Sequence, residues 1–283
     1  MRVLVFGKTG QVARELQRYG NVIALGRDAA DLNDPAACAE IIARAEADAV
    51  INAAAYTAVD QAETDTKEAY KVNSEAPTAM AKAAAKRGIP FVHISTDYVF
   101  DGTDDTPWSE EDCSGPRSVY GASKLAGEQG VMNAGGTHAI LRTSWVVSAH
   151  GNNFVKTMLR LGAGRDALTI VADQIGGPTP ARDIAGAVME IARQLVDEPS
   201  KSGTYHFAGK PDVSWADFAR EIFTQANLTC AVTDIPSSDY PTPAARPMNS
   251  RLNCSKLATV FDINRPDWRV GLADILSDLK VDI

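Results

Sequence analysis

Tyr120 and Lys124, four residues apart, are the side chains whose types and spacing best suit acid–base chemistry in this sequence. The small and helix-favouring residues around them predict a helix, so the phenol and the ammonium would share one helical face. A nearby cation lowers the pKa of a phenol from its usual value of about 10, which allows proton exchange with a substrate oxygen. The same spacing also arises by chance on exposed helices, so this interpretation depends on the rest of the chain.

A second chemically promising stretch runs from His93 to Phe100 and carries hydroxyl groups at the end of an apolar segment. In α/β proteins ligands bind at the carboxyl edge of the sheet, where Ser95 or Thr96 can donate a hydrogen bond to a substrate carbonyl. His93 precedes this edge and is interpreted as a core or supporting residue rather than a general base. The four histidines form no metal-binding pattern, which argues against metal catalysis.

Alternating strands and helices must position these residues. Apolar runs at 3–6, 22–25, 49–53, 91–94 and 139–141 are separated by segments rich in Ala, Glu, Lys and Arg. This alternation predicts an α/β fold of the Rossmann type, a doubly wound parallel sheet with helices on both faces. The runs hardly alternate in polarity, which suits strands buried on both sides. Helices are predicted after the first strand at 14–18 and later at 181–195, 215–226 and 272–279.

The second half of the chain is richer in Gly and Pro, notably at 151–164, 176–180 and 236–247. We therefore predict a dinucleotide-binding core at 1–145 and a smaller, mainly substrate-binding portion at 146–283. Segments near 168–171 and 204–207 are strand-like and are expected to return to the sheet of the core.

The first turn between strand and helix is rich in glycine and has the spacing GxxGxxA. Glycines there let the backbone approach a pyrophosphate, whose charge is met by free N–H groups at the helix start. The turn lacks the GxGxxG and Walker spacings, and a purely structural turn is an equal alternative from this motif alone. The candidate cofactor-binding residues of this turn are Gly7, Thr9, Gly10, Gln11 and Val12.

The end of the second strand, where a dinucleotide fold meets the adenosine ribose, carries Arg27 and Asp28. An Arg can pair with the 2′-phosphate of NADP, which favours NADPH over NADH. A solvated surface Arg is the alternative, and Asp28 remains able to bind a ribose hydroxyl. Asp31 and Leu32 are candidate adenine contacts by position.

Small residues follow the third strand at Ala53, Ala54 and Ala55, where a flat ligand would need room. Close packing of a helix on the sheet would need the same alanines. Asn73 is polar within an Ala-rich helical stretch, and is either a satisfied buried amide or an exposed side chain. These positions would leave room for a cofactor along the strand ends, but they do not by themselves show that one binds.

The amino-acid composition limits the classes of molecule that the protein could bind. The net charge is −8, which argues against a nucleic-acid backbone or an anionic membrane surface as the main partner. The first apolar run is too short for a signal peptide or a membrane span. Four cysteines lie far apart with no zinc-like spacing, which predicts reduced thiols and a cytoplasmic protein: Cys38, Cys113, Cys230 and Cys254.

Taken in order, the Gly-rich turn, the alanines, the Ser95–Gly102 segment and the Tyr120-Lys124 pair resemble the extended short-chain dehydrogenase/reductase family. Within it, the chain is most similar to the branch that reduces a dTDP-linked 6-deoxy-4-keto sugar, and the likeness covers residues 2 to about 270. The stretches that carry this narrower resemblance lie at 6–11, 55–60, 142–145, 151–154, 173–179 and 246–252.

The resemblance implies reduction of dTDP-4-dehydro-L-rhamnose to dTDP-L-rhamnose, with hydride from NADPH or, less favoured, NADH. It implies that Tyr120 protonates the new alkoxide, that Lys124 lowers the tyrosine pKa and holds the nicotinamide ribose, and that Thr96 polarises the C4 carbonyl. It also implies two groups of substrate-binding residues. Those around the sugar are Val59, Asp97, Tyr98 and Trp145, and those facing the nucleotide diphosphate are Asn153 and Arg251.

Some members of the family form magnesium-bridged dimers through Glu15 and acidic residues on a later helix. Here Arg182 occupies one of the acidic positions, so a metal bridge is doubtful, and both a monomer and a homodimer remain open. Two other functions also remain open: a nucleotide-sugar epimerase or dehydratase with tightly held NAD, and a non-catalytic subunit resembling the regulatory subunit of methionine adenosyltransferase. The presence of Tyr120, Lys124 and Thr96 together favours catalysis.

Overall fold

A six-stranded parallel sheet forms the centre of the molecule in a computed structural model that describes residues 1–280. The order of its strands is β10-β5-β4-β3-β1-β2, and every neighbouring pair is parallel. The predicted doubly wound α/β fold is therefore confirmed. The strands are β1 (Val3–Phe6), β2 (Val22–Leu25), β3 (Ala49–Asn52), β4 (Phe91–Thr96), β5 (His138–Thr143), β6 (Val146–Val147), β7 (Ala167–Val171), β8 (Ile175–Gly176), β9 (Thr179–Pro180), β10 (Gly203–His206), β11 (Val213–Ser214), β12 (Ala231–Ile235) and β13 (Asn249–Ser250).

Helices cover both faces of this sheet and build the rest of the fold. A π-helical turn at Lys71–Glu75 joins α4 to α5, and 3-10 turns lie at Asp97–Val99, Pro199–Lys201 and Ser237–Asp239. The helices are α1 (Gln11–Leu16), α2 (Pro35–Arg44), α3 (Val59–Ala62), α4 (Thr66–Tyr70), α5 (Ala76–Arg87), α6 (Val119–Asn133), α7 (Phe154–Gly162), α8 (Ala181–Asp197), α9 (Trp215–Gln225), α10 (Ser255–Phe261) and α11 (Trp268–Asp278).

The first strand shows why the apolar runs do not alternate in polarity. Val3 and Val5 pack into the core cluster that α1 and α8 cover, whereas Leu4 and Phe6 pack into the cluster that α2 and α5 cover. All four side chains are buried. Because burial of one such side chain stabilises the fold by about 1.5–3 kcal/mol, both faces of the strand contribute to holding the Gly-rich turn that follows it.

The two segments expected to return to the sheet behave differently. β10 lies beside β5 at the sheet edge, as predicted for 204–207. The prediction for 168–171 is wrong, because β7 pairs only with β12 in a separate two-stranded sheet. Leu168 and Ile170 pack towards α9, whereas Ala167 and Thr169 on the other face are exposed, so the strand does not lie between two helical layers.

A second apolar cluster, containing Leu168, Phe218 and Trp268, supports the later part of the chain. Near it, β11, β8 and β13 form a three-stranded sheet. The division at residue 145 stays a prediction, since α8 lies after it but packs on the central sheet. The first helix starts at Gln11, three residues before the predicted start.

Neither a membrane-spanning helix nor a disulfide is found within residues 1–280. Within residues 1–280, no helix has the length and apolar character needed to cross a bilayer. All four cysteines are unpaired thiols, with Cys113 exposed and the other three buried.

Candidate active site

A groove of about 760 Å³ runs along the carboxyl edge of β1 to β5, and is called here the strand-edge groove. The structure brings every candidate cofactor-binding residue and every candidate catalytic residue to its wall. Four of the six candidate substrate-binding residues also line it. The expected residues along this groove are Gly7, Thr9, Gly10, Gln11, Val12, Arg27, Asp31, Leu32, Ala53, Ala54, Ala55, Val59, Thr96, Asp97, Tyr98, Tyr120, Lys124 and Trp145.

The Gly-rich turn lies close to the end of β3. Gly7 has φ +116°, and a Cβ added there would lie 3.2 Å from the carbonyl carbon of Ala53. Both the backbone angle and this approach favour glycine. Gly10 is the N-cap of α1 and has open space around it, so its backbone is accessible from the groove.

Helix α6, which carries Tyr120 and Lys124, begins where Ser118 caps it, accepting a hydrogen bond from Gly121 N at 3.1 Å. Lys124 is buried, and its Nζ donates to Ile94 O at 2.7 Å and lies 3.3 Å from His93 Nε2. Burial lowers the pKa of Lys124 to about 8, while the carboxylate of Glu128 acts in the opposite direction. The lysine is thus poised near neutrality.

The pKa of Tyr120 is raised, whereas the sequence predicted that a nearby cation would lower it. Burial raises its pKa to about 12, a hydrogen bond with the Thr96 hydroxyl acts downward, and the charge of Asp97 acts upward. The Lys124 ammonium, which is directed to Ile94 O and His93, is not among the groups that shift this pKa. The phenol therefore remains protonated at neutral pH, which suits a proton donor.

Thr96, Asp97 and Tyr98 complete the end of the groove at which Tyr120 and Lys124 lie. Thr96 Oγ1 donates to Asp97 Oδ1 at 3.1 Å and accepts from Tyr98 N at 3.2 Å. Burial raises the pKa of Asp97 to about 6, while the neighbouring hydroxyls of Ser250 and Thr96 act in the opposite direction. Within residues 1–280 the buried Oδ2 of Asp97 has no hydrogen-bond partner, which leaves it free to accept from a ligand hydroxyl.

An apolar cavity of about 650 Å³ adjoins this end of the groove. Tyr98, Trp145 and Trp215 line both spaces. Trp145 has φ +49°, and its ring stacks on Trp215 with centroids 3.5 Å apart. Gly176 allows this arrangement, because a Cβ there would lie 2.7 Å from Trp145 Cε2.

Two buried amides support the site from behind. Asn73 accepts from Tyr56 N at 2.8 Å and donates to Tyr56 O at 3.1 Å and Ser123 Oγ at 3.0 Å, so it joins the chain after β3 to α6. Asn52 Nδ2 lies 3.2 Å from His93 Nδ1. Asn73 is therefore the satisfied buried amide, and its signal was a polar side chain in an Ala-rich helix.

The structure does not bring the two expected diphosphate residues to either space. Asn153 caps α7, accepting from Lys156 N at 3.2 Å, and its Nδ2 donates to Gln11 Oε1 at 2.9 Å. Arg251 is directed to a surface loop, where its Nη2 donates to Asp105 O at 2.6 Å.

Arg246 lines the apolar cavity instead and was missed, although it lies in the same Arg246–Leu252 motif. Its Nη2 donates to Asp60 Oδ2 at 2.7 Å, and Asp60 Oδ1 accepts from Ala244 N at 3.1 Å. This contact joins the loop after β12 to α3 beside the groove.

Arg27 lies at the ribose end of the groove with its side chain 75% exposed and its Nε 4.0 Å from Asp31 Oδ1. So long a contact between exposed groups holds the guanidinium weakly. An anionic ligand can therefore recruit Arg27 at little cost.

Glu15 does not have the surroundings of a metal ligand. It is buried, with Arg18 Nε 2.9 Å from its Oε2 and His150 Nε2 3.2 Å from its Oε1. Arg182 pairs with Asp274 at 3.0 Å. Within residues 1–280 no group of three or more His, Cys, Asp or Glu side chains is arranged to hold a metal ion.

Comparison with known proteins gives consistent matches over the whole length. A family model described as "RmlD substrate binding domain" matches residues 1–281. The dTDP-4-dehydrorhamnose reductase of Sinorhizobium fredii is 47% identical over 278 residues, which is 95% of this chain and 94% of that protein.

Solved structures give the same result. A crystal structure of a dTDP-4-dehydrorhamnose reductase from Clostridium acetobutylicum has a TM-score of 0.92 and 37% identity, covering 99% of this chain and 100% of that one. The enzyme of that name from Bacillus anthracis, in complex with NADP, has a TM-score of 0.91 and 34% identity, covering 98% of this chain and 99% of that one.

Proposed function

Because this chain belongs to the dTDP-4-dehydrorhamnose reductase family, we propose that it reduces the C4 keto group of dTDP-4-dehydro-L-rhamnose to give dTDP-L-rhamnose. The observation that best supports this is the position of Tyr120 and Thr96. Both lie in the strand-edge groove, and Tyr98 beside them lines the apolar cavity as well. A sugar placed there would contact a cofactor on one side and bury its nucleoside on the other.

The proposed cofactor is NADPH, in keeping with the NADP complex of the Bacillus anthracis relative. When bound, it supplies the hydride that adds to C4 of the sugar. Gly7 and the backbone of the Gly-rich turn would face its pyrophosphate, and the exposed Arg27 would pair with its 2′-phosphate. The alanines after β3 leave space for the ligand along the groove.

The chain's own residues would complete the reduction. Thr96 and Tyr120 both lie in the strand-edge groove, so one carbonyl oxygen can receive a hydrogen bond from each when the Thr96 hydroxyl turns from Asp97 towards the ligand. As negative charge develops on O4, the Tyr120 hydroxyl gives its proton to that oxygen, and the C4 alcohol results. Lys124 would hold the nicotinamide ribose and stabilise the phenolate that remains.

Val59, Asp97, Tyr98 and Trp145 would surround the sugar. The unpartnered Oδ2 of Asp97 can accept from a sugar hydroxyl, and the stacked rings of Trp145 and Trp215 offer an apolar wall. The nucleoside would enter the apolar cavity. Since Arg246 lines that cavity, it is a better candidate than Arg251 for contact with the diphosphate.

We propose that activity does not require magnesium and that any homodimer forms without a metal bridge. The basis is the pairing of Glu15 with Arg18 and His150. NADPH oxidation should be equally fast with and without EDTA. A loss of activity in EDTA that magnesium restores would contradict this proposal.

The test of the main proposal supplies purified protein with NADPH and the dTDP-4-keto sugar, follows NADPH oxidation, and identifies the product. Tyr120→Phe keeps the ring but removes the proton, so kcat should fall by about 100-fold or more. Undiminished turnover by Tyr120→Phe would refute the mechanism. Absence of NADPH oxidation by the wild-type protein would favour a non-catalytic role, and retention of NAD through purification would favour an epimerase or dehydratase.

A further inference from the structure

A buried chain of charged and polar groups extends from the catalytic helix into the sheet. Glu128, one turn after Lys124, is fully buried, and Arg142 on β5 donates to its carboxylate from Nη2 at 2.7 Å and from Nε at 3.0 Å. The guanidinium lies 5.0 Å from the centre of the Phe100 ring, and its Nη1 is 3.5 Å from His206 Nε2. The carboxylate is therefore fixed in a single, dry orientation.

Stability alone does not explain this pair. Burying two charges carries a desolvation cost that can cancel their attraction, and apolar replacements of such pairs are often neutral or stabilising. The Phe100 ring and the surrounding sheet would accommodate apolar side chains. The position of Glu128 relative to Lys124 offers a different reason.

Lys124 has few charged neighbours on the elements around it. His93 faces it from β4, and its pKa is held well below the usual value, first by burial and then by the lysine itself, so this imidazole is neutral. Asp97, on the turn after β4, acts on Tyr120. The helices packed on the other side of α6, with the residues that flank them, carry charges that are all at least partly exposed: Asp60, Glu63, Asp65, Lys67, Glu68, Lys71, Glu75, Lys82, Lys86 and Arg87.

Glu128 is thus the buried negative charge that acts on Lys124. Its carboxylate opposes the effect of burial on the lysine pKa, and it lies at the i+4 position of the same helix. Arg142 holds that carboxylate in place with hydrogen bonds from Nη2 and Nε. The charge state of Lys124 consequently depends on a residue that does not touch the groove, since Glu128 and Arg142 are absent from its wall.

We propose that Glu128, fixed by Arg142, is a positioning residue that keeps the Lys124 ammonium charged and directed along β4 throughout the reaction. This inference rests on the proposed function of Tyr120 and Lys124. Without the carboxylate, the buried ammonium loses its proton at lower pH, and the phenolate left on Tyr120 loses its stabilising cation.

The first test compares Glu128→Gln with wild type over a range of pH. The alkaline fall in kcat/KM should move to lower pH by about one to two units, as expected for removing a charge one helical turn away. At neutral pH, kcat should fall by about tenfold with little change in the KM for the sugar. Glu128→Asp, which keeps the charge, should restore most of the wild-type profile.

Glu110→Gln is the matched control. Glu110 is half-buried, accepts from His206 N at 2.9 Å, and also feels Arg142, yet it lies at the far end of the chain of charges from Lys124. Glu110→Gln should leave the alkaline fall in kcat/KM at the same pH as in wild type. An equal shift in both variants would show a general loss of structure and would overturn the proposal.

A direct measurement separates this inference from the proposed function. The 13Cε chemical shift of Lys124, assigned by its loss in Lys124→Met, is titrated in the protein without substrate. The lysine pKa should be lower in Glu128→Gln than in wild type, whether or not the protein turns over the keto sugar. An unchanged pKa in a folded Glu128→Gln protein would overturn the inference.

Glu128→Gln leaves Arg142 as an unpaired buried cation, which can prevent folding. The double variant Glu128→Gln/Arg142→Met removes that charge as well, and it should show the same lowered lysine pKa. A wild-type pKa in the folded double variant would equally refute the role of Glu128.

Discussion

Gly121→Ala tests whether the catalytic helix must lie as close to the end of β4 as the structure places it. Gly121 follows Tyr120 in α6, and a Cβ at this position would lie 2.2 Å from the carbonyl oxygen of Tyr98. Real Cβ atoms essentially never come closer than 3.0 Å to such atoms, so helix and turn must separate by roughly 1 Å. That separation moves Tyr120, the preceding residue of α6, away from Thr96 at the end of β4.

The expected magnitudes follow from two opposing effects. Alanine gains about 1 kcal/mol over glycine within a helix, whereas overpacking costs about 1–3 kcal/mol, so the free energy of unfolding should fall by up to about 2 kcal/mol. A displacement of about 1 Å at reacting groups can lower the rate by about 100-fold. Gly121→Ala should therefore lose far more activity than stability.

The assay is kcat/KM for NADPH-dependent reduction, with urea unfolding measured on the same protein. Gly186→Ala in α8 is the matched control, because its Cβ would meet only Tyr19 Oη, at 3.7 Å. This control should gain about 0.5–1 kcal/mol of stability and keep full activity. Wild-type kcat/KM in Gly121→Ala would refute the requirement for close contact between helix and turn.

Three further outcomes are expected. Arg27→Ala should raise the KM for NADPH by about tenfold and leave the KM for NADH unchanged, because only the 2′-phosphate loses a partner. An equal ratio of the two KM values in wild type and in Arg27→Ala would exclude Arg27 from cofactor choice. Asp97→Asn should remove a pH dependence of stability: the raised pKa of about 6 means that folding favours the protonated acid, so wild-type stability falls as pH rises from about 4 to 6 and then levels off. A flat wild-type profile in chemical denaturation over that range would contradict the assignment. With Ellman's reagent at neutral pH, only the exposed Cys113 should react quickly, and rapid reaction of a second thiol would contradict the burial of Cys38, Cys230 and Cys254.

The sequence predicted the central sheet well because burial on both faces leaves a strong local signal. Apolar runs such as 3–6 and 91–94 cannot be solvated on either side, so they indicate parallel strands directly. The Gly-rich turn and the Tyr120-Lys124 spacing are also local, and the structure places them along one groove.

The features that the sequence did not predict depend on contacts between residues that lie far apart in the chain. The short run at 168–171 is apolar enough for either sheet, and only its pairing with β12, over 60 residues later, decides between them. Likewise, Arg246 and Arg251 are indistinguishable by residue type, but the first meets Asp60 and the second meets Asp105. Burial raises the pKa of Tyr120, and the Lys124 ammonium is directed to Ile94 O, neither of which spacing along a helix reveals.

The late position of α8 and β10 in the chain has a consequence for synthesis on the ribosome. The Gly-rich turn emerges first and α1 follows at once, yet α8, the second helix on the face that carries Val3 and Val5, comes only after residue 180, and the last strand of the sheet only after residue 202. A nascent chain of 145 residues therefore carries one apolar face of the sheet that is only partly covered. The part of the chain before residue 145 therefore completes its fold only together with the part that follows it.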